Sequence, residues 1–539
     1  RLCRLINDSL RSFAVQIQLT KEKEKDVLIT LSQISREIRG WEDEQESDSD
    51  HDVEQQYSGD YHDCLADIVC LLVTFLTDES QYVRHSTSNV LVGVSNFIAN
   101  SECKWDEFLR ILCVCLEVSM STILSSTSGV TGSTESDDDS SSLFLHVRKM
   151  MVNVNWYTVA GLVRTLRTIL KNLNQCPDGE LLEVYCKSVD VCLTNIPWEL
   201  MNGIPIARSS ESQIRSSNDL FCHGKVGSPV SRYVFLGTLL QLFCSLVRLI
   251  TSVEVSTSDK HPVLCTMTNL VPKLLYWCSH QQEQSNRMCS SHYLRHKILM
   301  LMIRLSFHVH QETSFLVLWL QLLHEYFEDL LHQPITGCQA DLDDCLEGSP
   351  FLSCVPDGQE NHRMADRHLQ RQAIFLFLKC SIGLINLGKE TATNGSCASS
   401  DSCLTNHLES DQECCTWKKG SVELSEWLER HLPLETLVDH GMYLGKCRHF
   451  AISFIQLYMA EDDLLFEVLL HLSSLPFPLE RKDFKENDKV FDKVKEDVGF
   501  RLSKVFNPVH LFHLFLAEVS LFCIHILGSC YIIFHGYVS

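Results

Sequence analysis

Glycine and proline are scarce in this sequence, at 23 and 13 of 539 residues. Folds rich in strands and tight turns depend on these two residues, whereas helix interiors exclude them. Hydrophobic residues make up 45% of the chain, which is enough for a large buried core. The sequence therefore predicts an all-α fold.

The common catalytic motifs are also missing. The chain has no Walker loop, no GxGxxG fingerprint, no GxSxG elbow and no HExxH, which excludes the best-marked nucleotide, hydrolase and metalloprotease sites. Acid pairs occur at Asp343-Asp344 and Asp462-Asp463, in polar or helix-start contexts that favour capping and solvated charge over a catalytic dyad. We therefore expect no catalytic residue, no enzyme activity and no cofactor.

A zinc site is not favoured, because the chain contains no CxxC pair and zinc ligands are typically two to four residues apart. His308 and His310 flank Val309 at the end of an apolar helix, where surface and capping roles are expected. The densest group of possible metal ligands has irregular spacing between its members. Free thiols in a loop are the simplest interpretation of this group. Its members are Cys397, Cys403, His407, Cys414 and Cys415.

An excess of basic residues is absent as well. The formal net charge is -23, which argues against direct binding to nucleic acid, because such binding needs a basic face. The charge is typical of a soluble protein whose partners are other proteins.

The 25 cysteines lie largely inside apolar helical runs such as "LRILCVCLEV" and "YCKSVDVCL". Thiols in that setting act as small hydrophobes. A signal peptide is not seen, so a reducing compartment and mostly free thiols are expected. The first residue is Arg1 rather than methionine, from which we expect a fragment or an incomplete gene product.

Residues 61–98 predict an antiparallel helix pair with a break at Thr77-Asp78. Asp78 is the expected N-cap of the second helix, with Gln81 completing a capping-box-like start. The apolar period of the second helix is carried by Val83, Thr87, Val90, Val94 and Phe97. Such a pair buries one side of each helix and needs neighbours, as in an irregular α-solenoid or HEAT/ARM-like array. The alternative is an ordinary helix in an irregular bundle, because no strict period of about 40 residues can be traced.

Composition divides the chain into segments. Helical patterns favour packed regions, whereas acidic or Ser-rich runs cannot bury enough apolar surface to order themselves. The predicted segments are N-terminal helices at 1–39, an acidic disordered linker at 40–60, a helical-repeat-like region at 61–388, a Ser/Cys-rich loop at 389–420, a C-terminal helical region at 421–518 and an apolar tail at 519–539. Within 61–388 we expect a disordered insert at 125–142 and polar loops at 203–228 and 334–362.

Two C-terminal blocks carry a resemblance to a known family. Residues 444–476 read "LGKCRHFAISFIQLYMAEDDLLFEVLLHLSSLP", and residues 506–518 read "FNPVHLFHLFLAE". In the second block, Asn507 is the expected cap, Pro508 the first helical residue, and an apolar face follows through Leu511, Phe512, Leu514 and Phe515. Together the blocks resemble the Lines family in its plant-type members, most specifically through "YMAEDDLLF" and "HLFHLFLAE".

The resemblance implies a non-enzymatic regulator of developmental signalling or transcription. Lines-type proteins are regarded as acting by protein contacts in the nucleus and cytoplasm. The family has no known catalytic residues, so none is carried over. In the family, the second block continues into a stretch resembling HYDHQVLLDYLISKD, whereas here it continues into "VSLFCIHILGSCYIIFHGYVS".

The tail, residues 519–539, contains no Asp, Glu, Lys or Arg. Its length meets the usual requirement for a membrane-spanning helix, so a membrane-anchored helical protein is the alternative functional hypothesis. Another hypothesis is that the tail is translated from an intron. The dipeptide Val519-Ser520 favours it, because the splice-donor sequence GTAAGT encodes Val-Ser in frame. Codons rich in T give the Phe, Leu, Ile, Cys, Tyr and Ser that fill this segment. We therefore expect the tail to be translated intron.

Sequencing cDNA across the Glu518 codon tests this origin. We expect the mature transcript to splice there into a continuation resembling the family stretch. A main transcript that reads through into the tail would contradict the intron hypothesis and leave the membrane anchor standing.

Overall fold

The computed structural model describes sixteen stretches of the chain, and the structural statements below concern these residues. They are 1–14, 20–47, 60–100, 104–128, 142–151, 153–173, 179–203, 229–253, 261–280, 288–308, 312–335, 359–394, 410–433, 440–459, 461–475 and 505–520. Every regular element in them is helical, which confirms the predicted all-α class.

The chain forms two compact units, Arg1–Leu301 and Met302–Ser539. The helices that begin in the first unit are α1 (Leu2–Ala14), α2 (Lys21–Ser47), α3 (Asp60–Phe75), α4 (Gln81–Asn100), α5 (Trp105–Ser128), α6 (Ser142–Met150), α7 (Trp156–Leu173), α8 (Gly179–Asn195), the 3-10 helix η1 (Trp198–Gly203), α9 (Pro229–Val253), α10 (Pro262–His280) and α11 (Met288–Ser306). Those of the second unit are α12 (Thr313–His332), α13 (Gln359–Asn394), α14 (Ser410–His431), α15 (His440–Tyr458), α16 (Asp462–Ser473) and α17 (508–520).

Helices of the first unit pack in two series. In one series α2 packs against α4, α4 against α7, and α7 against α9. In the other, α1 packs against α3, α3 against α5, α5 against α8, and α8 against α10. Contacts of α1 with α2, α3 with α4, and α5 with α7 join the series. Each inner helix therefore buries its apolar surface against the preceding and following members of its own series and against a helix of the other.

Polar side chains link α4 to α7, α7 to α9 and α8 to α10 at intervals of 74 to 77 residues, whereas Glu24 of α2 and Ser80 before α4 are hydrogen-bonded across 56 residues. Ser88 Oγ lies 2.8 Å from Thr165 Oγ1 between α4 and α7, 77 residues apart. Thr266 Oγ1 donates to Asp190 Oδ1 at 2.6 Å between α8 and α10, 76 residues apart. Two helical elements separate the linked helices along the chain: α5 and α6 lie between α4 and α7, and η1 and α9 lie between α8 and α10.

The predicted helix break at Thr77-Asp78 is confirmed, since α3 ends at Phe75 and α4 begins at Gln81. The predicted cap is wrong. Ser80 precedes the helix and its Oγ accepts from the Val83 N–H at 3.5 Å, whereas Asp78 Oδ1 accepts from the Ser80 N–H at 2.7 Å. The carboxylate thus closes a turn before the helix instead of capping it.

The packing of α4 differs from a simple hairpin. Its predicted apolar positions Val83, Thr87, Val90 and Val94 are buried, but its most extensive partner is α2 rather than α3. Phe97 is only half-buried and lies edge-on to Trp41, with ring centroids 5.7 Å apart. A local apolar period identifies the buried side of a helix but not the distant helix that covers it.

Helices extend into several segments predicted as irregular, among them the insert at 125–142, which α5 enters as far as Ser128. Helix α2 continues to Ser47 in the acidic run, since glutamate-rich sequence is compatible with helix once a preceding turn has formed. Helix α13 begins at Gln359 and ends at Asn394, and α14 begins at Ser410 with acidic residues in its opening turns. Most of the predicted linker and inserts, namely residues 48–59, 129–141, 204–228, 336–358 and 395–409, lie outside the described residues, as does the tail from 521 onward.

One pair of described cysteines is bonded, whereas the sequence predicts that most thiols are free. Cys3 and Cys64 form a disulfide that joins α1 to α3, with a Cα–Cα distance of 6.3 Å. Most other described cysteines are free and buried, among them Cys70, Cys113 and Cys192, which confirms that they pack as small hydrophobes.

By length and composition, two described segments could cross a membrane: Trp105–Ser126 and Arg232–Thr251. Their most apolar windows are 78% and 72% buried inside the protein. Core helices of this kind pass the same test, so the finding is weak evidence for a membrane span.

Helices α13 and α14 of the second unit approach each other closely at Gly420 of α14. A Cβ atom there would lie 2.6 Å from the carbonyl oxygen of Ser381 and 2.9 Å from Leu384 Cβ, both on α13. Since Ser381 contributes a backbone atom, the clash cannot be relieved by a side-chain rotation. Gly420 thus sets the distance between the two helices.

Gly420→Ala should destabilise the second unit by about 2 kcal/mol, because α14 must move away from α13. Gly445→Ala in α15 is the matched control, since nothing lies within 4 Å of its Cβ position. The control should be neutral or stabilising through helix propensity. Hydrogen exchange of α13 and α14 amides measures the difference, and equal exchange in the two variants would contradict the close approach.

Candidate interaction site in the second unit

The block "YMAEDDLLF" places two anchoring residues between α15 and α16. Tyr458 ends α15, is fully buried, and donates its hydroxyl to the backbone carbonyl of Arg371 on α13 at 3.1 Å. Glu461 directly precedes α16 and turns its carboxylate toward the same part of α13. The block that carries the family resemblance is therefore where three helices are joined.

Glu461 is the centre of a charged cluster. Its Oε1 lies 2.6 Å from His368 Nδ1 and 2.7 Å from Arg371 Nη1. Arg371 is buried, and its Nε also donates to the carbonyl of Leu457 at 2.6 Å. Burial alone would raise the pKa of Glu461, but the hydrogen bond from His368 and the charge of Arg371 outweigh it, so the pKa is lowered.

The role of this cluster is structural. A buried guanidinium needs a carboxylate and further hydrogen bonds to offset its desolvation. The neighbouring Asp462 and Asp463 are exposed in the first turn of α16, as predicted for helix-start charges. Glu461 was not predicted from the sequence as a functional residue. The one feature that could have indicated it is its position between the end of α15 and the pair Asp462-Asp463.

An aromatic cluster fills the core of the second unit around Trp427 of α14. Trp427 contacts Phe377, Phe450 and Phe506, with ring centroids 5.6 to 6.2 Å apart. Its Nε1 donates to the carbonyl of Leu331 at 3.1 Å, at the end of α12. Phe506 belongs to the second family-like block, so the segment that leads into α17 is anchored in this core.

Helix α17 begins as predicted. Asn507 Oδ1 accepts from the N–H groups of Val509 and His510 at 3.0 and 3.1 Å, with Pro508 at the first helical position. Its apolar positions are divided between two sides, since Leu511 and Phe515 are buried whereas Phe512 is 42% exposed. One apolar side of the helix is thus anchored, whereas no described residue covers the other.

The uncovered side of α17 adjoins a similar side of α16, and we call the two together the apolar face. The Phe466 ring lies 5.3 Å from that of Phe515 and 6.5 Å from that of Phe512, which brings the helices together. The exposed members of the face are Phe466, Leu470, Val509, Phe512 and Leu516. Grouped exposure of large apolar residues is characteristic of protein-binding or membrane-binding surfaces.

Most of the predicted candidate residues lie outside the part of the chain that the structure describes. Cys397, Cys403 and His407 lie outside the described residues, and so do the side chains of Cys414 and Cys415 in α14. His308 is half-buried in the turn after α11, whereas His310 and Asp343-Asp344 lie outside the described residues. Among the residues that are described, no group of three or more His, Cys, Asp or Glu could hold a metal.

Two buried titratable side chains carry no sequence signal of their own. Burial raises the pKa of Glu117 to about 7, although Asn195 donates to its carboxylate at 3.3 Å. Burial lowers the pKa of Lys379 to about 7, and its Nζ lies 2.9 Å from the centroid of the Phe307 ring. The two pKa shifts arise because other helices bury these side chains. The sequence alone does not show which helices do so.

Glu461→Gln should destabilise the second unit by about 3 kcal/mol at pH 7, because it leaves the Arg371 charge buried without its carboxylate. Asp463→Asn is the matched control, because Asp463 is exposed in the first turn of α16. It should change the free energy of unfolding by less than about 0.5 kcal/mol.

The Glu461 contribution also has a defined pH dependence. The folded-state pKa is lowered, so the contribution is complete above about pH 4.3, the ordinary pKa of glutamate, and is lost as the pH falls through the folded-state value. Denaturant unfolding of parent and variant at pH 7 and below pH 4 measures it. A difference that does not shrink in acid would contradict the ion-pair assignment.

Comparisons with protein-family models, with curated proteins and with solved structures gave no match for this chain. The similarity to the Lines family therefore rests on the two sequence blocks alone.

Proposed function

We propose that this chain is a non-enzymatic helical scaffold of the Lines type, which acts in developmental signalling or transcriptional regulation by binding other proteins. Its helices form an irregular α-solenoid of the HEAT/ARM kind, interrupted by polar inserts. The partners are proteins rather than nucleic acid, and the setting is the nucleus, the cytoplasm or both.

The observation that carries this proposal is the pair of helix series in the first unit. Helices α2, α4, α7 and α9 follow one another in contact, as do α1, α3, α5, α8 and α10. Successive stacking of helix pairs is the architecture of solenoids, whose extended surfaces serve protein recognition. The polar links between α4 and α7, α7 and α9, and α8 and α10, at intervals of 74 to 77 residues, support a repeated register rather than a single closed bundle.

Charge and exposed side chains support the same function. A net charge of -23 disfavours nucleic acid and favours partners with basic surfaces. The apolar face of α16 and α17 offers the second unit a contact surface of the kind that proteins use. The family-like blocks supply the structural residues Tyr458, Glu461 and Phe506, which hold that face in place.

Cross-linking mass spectrometry of the full chain, purified under native conditions from cells that express it, tests the proposal. We expect a near-stoichiometric partner protein with cross-links to successive helices, such as Lys171 of α7 and Lys187 of α8, both of which are exposed. A partner joined only through the segments between helices would contradict a solenoid surface. A chain that purifies alone, with no cross-linked partner, would contradict the scaffold function.

A further inference from the structure

Two exposed apolar stripes lie side by side on α16 and α17. On α16 the stripe consists of Phe466 and Leu470, which are four residues apart and 37% and 64% exposed. On α17 it consists of Val509, Phe512 and Leu516, at intervals of three and four residues and 42% to 63% exposed. Both intervals place the residues along one side of a helix.

The stripes belong to a firmly held part of the second unit. The opposite side of α16 is buried through Leu465, Val468 and Leu472. Helix α17 is fixed by buried Leu511 and by Glu518, which accepts from Gln456 of α15 at 3.1 Å. A surface held in this way is already formed before a partner arrives, which lowers the entropy cost of binding.

The charges on these helices have one sign. Neither α16 nor residues 508–520 contain a Lys or Arg, whereas Asp462, Asp463, Glu467 and Glu518 are acidic. The two aspartates are exposed at the start of the α16 stripe. An acidic border of this kind repels anionic lipid headgroups and attracts basic side chains.

We propose that the apolar face of α16 and α17 is the docking site for a single amphipathic helix of a partner protein, whose apolar stripe is bordered by Lys or Arg. Two adjoining helices with parallel rows of exposed Phe, Leu and Val offer a third helix the contacts of a helix-in-groove complex. The basic border of the partner meets the exposed carboxylates of Asp462 and Asp463. The inference rests on the proposed protein-binding function and names the surface and partner chemistry that it uses.

The test uses the full chain and a synthetic Leu/Lys peptide of about 18 residues, or five helical turns, with Leu at helical spacing and Lys elsewhere. A Leu/Glu peptide with the same Leu positions controls for charge. Fluorescence anisotropy of labelled peptide gives both dissociation constants. We expect the Leu/Lys peptide to bind at least about tenfold more tightly than the Leu/Glu peptide.

Two double variants separate the apolar face from general surface hydrophobicity. Leu470→Ser with Val509→Ser alters the face, whereas Leu145→Ser with Val191→Ser removes the same side-chain types from 52% and 51% exposed positions on α6 and α8. All four residues are exposed, so both variants should fold, and far-UV circular dichroism checks this. The face variant should lose at least about tenfold in affinity for the Leu/Lys peptide, and the control should keep the affinity of the parent.

Several results would overturn the proposal. They are equal losses in the two double variants, equal binding of the two peptides, and no binding of either peptide to the full chain. Self-association of the parent chain that only the face variant abolishes would assign the face to a second copy instead. Any of these results would reject this docking site. If native cross-links to a partner are still found on the first unit, the scaffold function stands without it.

Discussion

The architecture depends on one constraint: a helix with one apolar side must bury that side against other helices. In the first unit each helix meets this requirement through its own series and through a helix of the other series, as α4 does between α2 and α7 and against α3. Because every inner helix relies on two neighbours, loss of one helix exposes apolar surface on both.

The second unit meets the same requirement with more specific contacts. Trp427 contacts aromatic rings of α13, α15 and the segment before α17. Gly420 has no side chain, which allows α13 and α14 to approach closely. The Arg371–Glu461 pair then fixes the start of α16. With α16 and α17 held from inside, their outer apolar side chains remain in contact with solvent. Exposed apolar side chains grouped beside a packed core are characteristic of protein-binding and membrane-binding surfaces.

Local chemistry allowed several features to be predicted from the sequence. The break near Thr77 and the cap at Asn507 follow from turn and capping preferences over a few residues. Contacts between distant residues could not be predicted in the same way. Glu461 meets Arg371 across 90 positions, and α4 finds α2 rather than α3 as its main partner. No local sequence pattern encodes these pairings. The start of α14 was also missed, because its first residues are polar and were predicted as part of a loop.

We propose that this chain works by protein contacts and that the outer side of α16 and α17 is one of its contact surfaces. Hydrogen exchange of a native complex, compared with the free chain, tests this proposal most directly. We expect added protection in peptides covering 462–473 and 508–520 when the partner is bound. Unchanged exchange in both segments, in a complex that is shown to be intact, would contradict it.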